Sequence, residues 1–286
     1  MSESIFQNSG CVNTINGSLI HLSSFLPVIC PIDHRTTLNT KYDVQKNINP
    51  TSVPKLQYFG IGTNGFYCTG TNDAVGHIKY NPDCRNMDLY NPIPIRVVPF
   101  GQDLSWEERK QYRMRAIKTF NNTKYICYYL KKIVWDPGEI EIKQIMNNTE
   151  QDYVMSQSYL NPTPSETART GEGVVTSSPR IVVRALGRCE VSMQELKNTQ
   201  ALFGIDAVTI SEFGFYTGCE SYIDDNNRPI ITDMPEDDSL IDGATSIEAI
   251  YVQLAKHKTQ LPVSLENEQS VLETTVSFES ASTISI

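Results

Sequence analysis

Three features of the chain could carry chemistry: a glycine-rich turn, a set of acidic pairs with one acid inside an apolar strand, and a run of basic and aromatic residues. Gly60-Ile61-Gly62-Thr63-Asn64-Gly65 has the GxGxxG spacing of a dinucleotide-binding turn and follows a strand-like run. That chemistry needs a helix directly afterwards, so that the helix N-terminus can hold a pyrophosphate. Phe66-Tyr67-Cys68-Thr69-Gly70 follows instead, with no helical period, so the segment reads as a tight turn and no cofactor is expected. Acid pairs stand at Glu107-Glu108, Glu139 and Glu141, Asp224-Asp225 and Asp237-Asp238, each in a polar setting. A general acid must be desolvated before its pKa rises to a useful value, so these pairs read as solvated faces. Glu212 differs, because it lies between Ile210 and Phe213. It could serve as a catalytic acid, although a buried carboxylate that caps a turn is the commoner arrangement. With Trp106, Trp135 and Tyr128 it is the nearest the chain comes to a glycan-binding or hydrolytic cleft.

No GxSxG motif is present, and no histidine lies in a recognisable Ser or Cys triad context. The seven cysteines (Cys11, Cys30, Cys68, Cys84, Cys127, Cys189, Cys219) include no CxxC pair, so zinc and redox readings give way to free thiols used as small hydrophobes. Cys30 and His34 lie four apart, but Pro27 and Pro31 argue against the helix that would bring them together, and no metal is expected.

The basic residues gather between Arg109 and Lys132, interleaved with Tyr112, Tyr125, Tyr128 and Tyr129. Stacking on nucleic acid is one reading of that pattern. Against it stands the charge sum, 24 basic minus 33 acidic residues or −9, which gives no net supply of phosphate-neutralising groups. Tyr and Arg are also the enriched residues of protein interfaces. Arg109, Tyr112, Arg113, Arg115, Tyr125, Tyr128 and Lys131 are therefore the candidate contact residues, with charge complementarity between subunits expected against the acidic C-terminal third. No apolar run is long enough for a membrane-spanning helix, and the N-terminus has neither the basic nor the apolar region of a signal peptide. The expectation is a soluble protein made in the cytoplasm, binding neither nucleic acid nor membrane.

The elements that must position these residues are mostly strands. A chain of 286 residues with 40% hydrophobic and 20% charged residues can bury a sizeable core. Residues 1–55, with scattered short apolar pieces, read as an extended arm suited to lying along a neighbour. Lys55 to Ile61 is the first clear strand, and a loop-like polar stretch runs on to about Asn86. Arg113 to Phe120 and Lys124 to Trp135 form a hairpin, because Asn121-Asn122 tolerates positive φ at the turn. Apolar residues on both faces of its second run predict an interior strand or one covered by a partner.

Ser105 with Glu108 and Ser192 with Glu195 are capping boxes, predicting helices to Tyr112 and to Phe203. Residues 147–179 read as a loop insertion, Ile181 to Leu186 as a strand, and Val208 to Tyr216 as a strand with a bulge near Glu212-Phe213-Gly214. Asp224 to Asn227 and Glu236 to Asp238 read as surface loops, and 247–256 fits helix and strand equally. Leu272 to Phe278 alternates as a last strand, with 279–286 frayed. The sum is a mainly β fold: a β-sandwich-like core over 56–278 with two short helices, long loops and an extended N-terminal arm.

Four separated segments, taken in order, resemble bacteriophage tail and baseplate structural proteins of the fibre-attachment or adaptor kind. They are Tyr58-Phe59-Gly60-Ile61-Gly62-Thr63-Asn64-Gly65, Leu89-Tyr90-Asn91-Pro92-Ile93-Pro94-Ile95-Arg96, Ile210-Ser211-Glu212-Phe213-Gly214-Phe215-Tyr216 and Leu272-Glu273-Thr274-Thr275-Val276-Ser277-Phe278. Asn64 stands where those proteins have glycine, and Phe213 and Phe215 where they have smaller aliphatics. The resemblance implies a non-enzymatic virion component of the tail, baseplate or fibre-attachment region, assembled in the host cytoplasm. Its partners would be copies of itself and other virion structural proteins. The alternatives are a neck or head–tail connector, and a carbohydrate-binding or hydrolytic tail module.

Overall fold

The computed structural model describes residues 10–14, 17–18, 20–21, 24, 38–42, 53–69, 76–79, 82–146, 149–153, 180–203, 208–223, 229–231, 246–265 and 270–283. The chain divides into two compact units, one of Met1–Ile133 with Cys189–Glu273 and one of Val134–Arg188 with Thr274–Ile286. The core expected as one domain over 56–278 is therefore split, and the sequence crosses between units at Ile133/Val134, Arg188/Cys189 and Glu273/Thr274. The reason is pairing: the strands of 134–188 hydrogen-bond with one another and with the last strand, forming a sheet of their own.

In chain order the strands are β1 (Gly10–Asn13), β2 (Lys55–Gly62), β3 (Phe66–Thr69), β4 (Gly76–Lys79), β5 (Pro92–Ile93), β6 (Arg96–Pro99), β7 (Tyr112–Phe120) and β8 (Thr123–Lys132). They continue with β9 (Val134–Met146), β10 (Thr149–Asp152), β11 (Arg180–Ser192), β12 (Thr209–Ile223), β13 (Pro229–Ile231), β14 (Ser246–Ser264) and β15 (Val271–Thr283). Among the described elements the helices are α1 (Leu38–Tyr42), α2 (Trp106–Arg109) and α3 (Met193–Phe203). The first unit is built on a nine-stranded sheet in the order β1-β14-β12-β2-β8-β6, with β13 beside β12, β5 beside β2 and β7 beside β8. The second carries the sheet β10-β9-β11-β15. Central strands of the first unit are covered on both faces, β12 being buried along nearly its whole length. That is the mainly β, sandwich-like core the sequence predicts.

Local signals explain several elements. Asn121 and Asn122 turn the β7–β8 hairpin with φ of 46° and 60°, the left-handed pair that a two-residue turn requires. β8 is interior, bonded to β7 on one side and to β6 and β2 on the other. At α2, Ser105 Oγ accepts from Glu108 N–H while the Glu108 carboxylate accepts from Ser105 N–H, and Ser192 and Glu195 make the same reciprocal pair at α3. α2 is a single turn and stops before Tyr112, because that residue begins β7. The register of β12 against β14 slips between Ile210 and Glu212, which places the expected bulge, and slips twice more before Cys219.

Other elements depart from expectation. The polar stretch after Gly65 contains the β3–β4 hairpin, and 247–256 belongs to β14, which is buried on both faces and so shows no alternation. Residues 279–283, expected to fray, continue β15. The arm expected to lie along a neighbouring subunit lies, over 10–14, along its own chain. β1 pairs with β14 from Gly10↔Thr259 to Asn13↔Lys256, and Thr14 N–H donates to Ala255 O at 2.8 Å. Pairing there satisfies backbone groups that the β14 edge would otherwise leave open. Gly17 is pressed so closely that a Cβ would stand 2.3 Å from Ala255 O. Of the arm, only 10–14, 17–18, 20–21, 24, 38–42 and 53–55 are described, and most of the 147–179 excursion and the loops at Asp224–Asn227 and Glu236–Asp238 lie outside the described residues.

Gln253, 1% exposed on β14, has neither amide atom hydrogen-bonded. Each unsatisfied buried group costs about 1–3 kcal/mol. Gln253→Met, which keeps the shape and removes both groups, is expected to raise stability by about 1–3 kcal/mol in urea unfolding. A loss of stability instead would mean that an internal water holds the amide.

Candidate functional site

The turn at 60–65 is built around Glu212. β3 follows it, so no helix N-terminus faces the glycines. The Glu212 side chain, fully buried, accepts through Oε1 from Asn64 N–H (3.1 Å) and Asn91 N–H (2.9 Å). Through Oε2 it accepts from Tyr90 N–H at 3.0 Å and meets His257 Nε2 at 3.1 Å. Asn86 Nδ2 donates to His257 Nδ1 at 3.0 Å, which leaves the Nε2 hydrogen for Glu212. The glycines are explained by this close approach. A Cβ at Gly62 would stand 2.6 Å from Glu212 Oε1, and one at Gly65 would stand 2.1 Å from Ser211 O. Burial alone would raise the Glu212 carboxyl, but the bonds from His257, Asn91, Tyr90 and Asn64 outweigh it and hold the group below the ordinary carboxylate range. Glu212 caps a turn. With four donors on two oxygens it has no lone pair left to offer a substrate.

The candidate contact residues are placed by α2 and the β7–β8 hairpin, and most of them face inward. Arg113, with no exposed surface, bonds Glu220 Oε1 through Nε (3.0 Å) and Nη2 (2.5 Å), and Arg109 O and Tyr112 O through Nη1. Lys132 Nζ reaches Glu220 Oε2 at 3.0 Å and Tyr58 OH donates to Oε1 at 3.1 Å. Burial works against the Arg113 charge, but the Glu220 carboxylate outweighs it and raises the guanidinium above its usual range. Glu220, which burial would raise, is lowered by Arg113 and Lys132.

The other pairs follow the same pattern. Arg109 is buried, with Nη2 3.5 Å from Glu248 Oε2 and its guanidinium 5.4 Å from the Tyr128 ring centre. Tyr112 OH donates to Glu195 Oε1, which Lys131 Nζ also reaches at 2.8 Å. Burial would raise Glu195; Lys131, the Ser192 N–H and Tyr112 together lower it. Arg115 bonds Asp103 at 2.7 Å, and buried Tyr128 donates to the same carboxylate. Tyr125 is half-buried near the hairpin end, edge-on to Phe120.

In this structure Arg109, Arg113, Lys131 and Lys132 find acids on β12, β14 and α3 of the same chain. The physical reason is that a buried guanidinium needs an immediate counter-ion, and the fold supplies one across the sheet.

A fourth glutamate completes a common pattern. Met114 has φ of 58°, rare for a residue other than glycine, and this turns its N–H and that of Arg115 toward one point. Glu248 sits there, accepting from Met114 N–H at 2.7 Å and Arg115 N–H at 3.2 Å, with Ala249 N–H and Arg109 as its other donors. Glu195, Glu212, Glu220 and Glu248 thus each hold four donors, at least two of them from elements distant in sequence. Glu212 stands out as the acid in an apolar strand and Glu195 as a capping partner, but nothing in the sequence marks Glu220 or Glu248.

An open cleft of about 440 Å³ lies beside α2 and the start of α3, lined by Arg96, Glu107, Glu108, Gln111, Gln194 and Glu195. Glu108 and Glu195 are already engaged as capping partners there. The aromatic candidates for a glycan cleft lie elsewhere: Trp106 stacks on Tyr222, Tyr128 is buried, and Trp135 opens β9 in the second unit. Cys84, Cys127, Cys189 and Cys219 are free thiols, as expected. Burial pushes Cys127 up to about 11 and Cys189 up to about 12, so both stay protonated and unreactive. The side chains of Cys11, Cys30 and Cys68 lie outside the described residues.

A family model matches residues 1–230, that of the family of unknown function DUF7208, and the chain belongs to this family. No curated protein matches the chain, and no solved structure does.

Proposed function

We propose that the chain is a non-enzymatic structural component of a bacteriophage particle, working through subunit interfaces in the tail, baseplate or fibre-attachment region. One observation supports this reading above the others. Three of the segments that resemble phage structural proteins, separated by up to 148 residues, converge on one carboxylate: Asn64 from the first, Tyr90 and Asn91 from the second, and Glu212 itself from the third. What these motifs share is then an architectural staple, with no vacant acid for catalysis. Its partners would be other virion structural proteins and copies of itself.

The test is quantitative mass spectrometry of purified particles from a lysate containing the protein. Several copies per particle are expected. Absence from the particles, with the protein abundant in the lysate, overturns the proposal.

A further inference from the structure

The Glu212 staple ends in a side chain that has two complete ways to hydrogen-bond. Asn86 Nδ2 lies 3.0 Å from His257 Nδ1 and 3.3 Å from Tyr90 OH, so its two hydrogens serve both neighbours. An amide oxygen in the same place serves them equally well, because a carbonyl accepts two bonds. It accepts from His257 Nδ1–H, and the Tyr90 hydroxyl turns to donate. Asn86 is half-buried and Tyr90 is 42% exposed, so the end of the amide that faces away meets solvent in either arrangement. The other side of the ring is fixed. His257, with no exposed surface, holds Nε2 3.1 Å from Glu212 Oε2, and a carboxylate offers only acceptors. Nε2 therefore carries hydrogen in both arrangements, and Nδ1 alone is left to gain or lose one.

We propose that His257, Asn86 and Tyr90 form a proton-binding switch: the imidazole takes up one proton at Nδ1, and the Asn86 amide turns over to accept it. The proton comes from solvent and stays on the ring as an N–H. Its charge then faces the Glu212 anion across the Nε2–H bond, in a buried site where such attraction is least screened. Acidification thus tightens the staple until Glu212 itself is protonated. Among the described residues, the ionisable groups near the ring are accounted for. Glu212 reaches it from β12, and the 82–91 segment brings Tyr90 and Asp88. Lys41 and Tyr216 already hold Asp88, while Asp83 and Arg85 bond each other. β12 sets Gly214 opposite His257 and β1 sets Val12 there, neither of them ionisable. Lys256 and Lys258 adjoin it on β14 and by alternation face the other side. The inference rests on these distances and holds whether or not the protein enters a phage particle.

Long-range proton–nitrogen NMR of the full chain, labelled at histidine and asparagine, tests it between about pH 8 and about pH 5. At the upper end His257 is expected to carry hydrogen on Nε2 alone. On acidification Nδ1 gains one, and the Asn86 side-chain amide signals move with the same midpoint. Asn86→Asp, whose carboxylate only accepts, should raise that midpoint by at least about one pH unit. A ring that stays neutral down to about pH 5 overturns the proposal, as does protonation that leaves the Asn86 amide signals in place. An unchanged midpoint in folded Asn86→Asp overturns it too. Should that variant fail to fold, the spectra of the unaltered protein decide alone.

Discussion

Replacing Glu212 with Gln is expected to lower the unfolding free energy by about 3–5 kcal/mol, the cost of breaking a buried charged group away from its partners. The substitution is nearly isosteric, so packing is hardly touched. What changes is hydrogen bonding. One carboxylate oxygen becomes an amide NH2, and that group must face either Asn64 and Asn91 or Tyr90 and His257, all of them donors. Two donors then point at each other in a fully buried site. Urea unfolding with an unchanged m-value is the measurement, and a loss below about 1 kcal/mol would refute the staple. The same variant separates the structural reading from a hydrolytic one, because a catalytic acid would lose its activity on this change while keeping its fold.

The pH dependence follows from the same carboxylates. Glu195, Glu212 and Glu220 are all lowered in the folded state, so each contributes stability that is complete above the ordinary glutamate pKa. That stability is lost as pH falls through the lowered native values. Acid unfolding should therefore steepen below about pH 4.5, each such group adding up to about 1.4 kcal/mol per pH unit. Glu212→Gln should flatten the slope by one proton's share.

Local signals were legible where neighbours in sequence are neighbours in space. Ser105 with Glu108 and Asn121 with Asn122 needed no tertiary knowledge, since each pair satisfies backbone demands within a few residues. β14 was opaque for the opposite reason: with both faces covered, Ile247, Ala249, Ile250, Val252 and Leu254 are all buried and no period of two survives. Glu212 could be found as the acid in an apolar strand. Its donors could not, because three of them are backbone N–H groups that every residue carries. Gly62 and Gly65 were their trace, two positions with no room for a Cβ. The basic cluster at 109–132 was visible as composition, but composition cannot say whether opposite charges meet within a chain or between chains. Burial sets Arg109 and Arg113 against acids of their own chain, while Lys124 and Tyr125 stand near the exposed end of the hairpin.

Arg113 carries the other large expected effect. Arg113→Met should cost about 3–5 kcal/mol, even though methionine fills much of the same space with apolar atoms. The loss comes from what stays behind. Glu220 keeps Lys132 and Tyr58 but loses its two closest donors, and the carbonyls of Arg109 and Tyr112 lose the Nη1 that bridged them. Three strands feel the change together, because Arg113 lies on β7, Lys132 on β8 and Glu220 on β12. A second substitution distinguishes a lost attraction from an orphaned charge. If the orphaned Glu220 carboxylate dominates, Arg113→Met combined with Glu220→Gln should be more stable than the sum of the single losses predicts, by about 1–3 kcal/mol. Strict additivity in denaturant unfolding would mean that Lys132 already neutralises Glu220 and that Arg113 acts through the two carbonyls alone. The paired charges on β7 and β12 would then serve the packing of this chain with no coupling between them, and the buried ion pair would hold the hairpin to the sheet only through its backbone contacts.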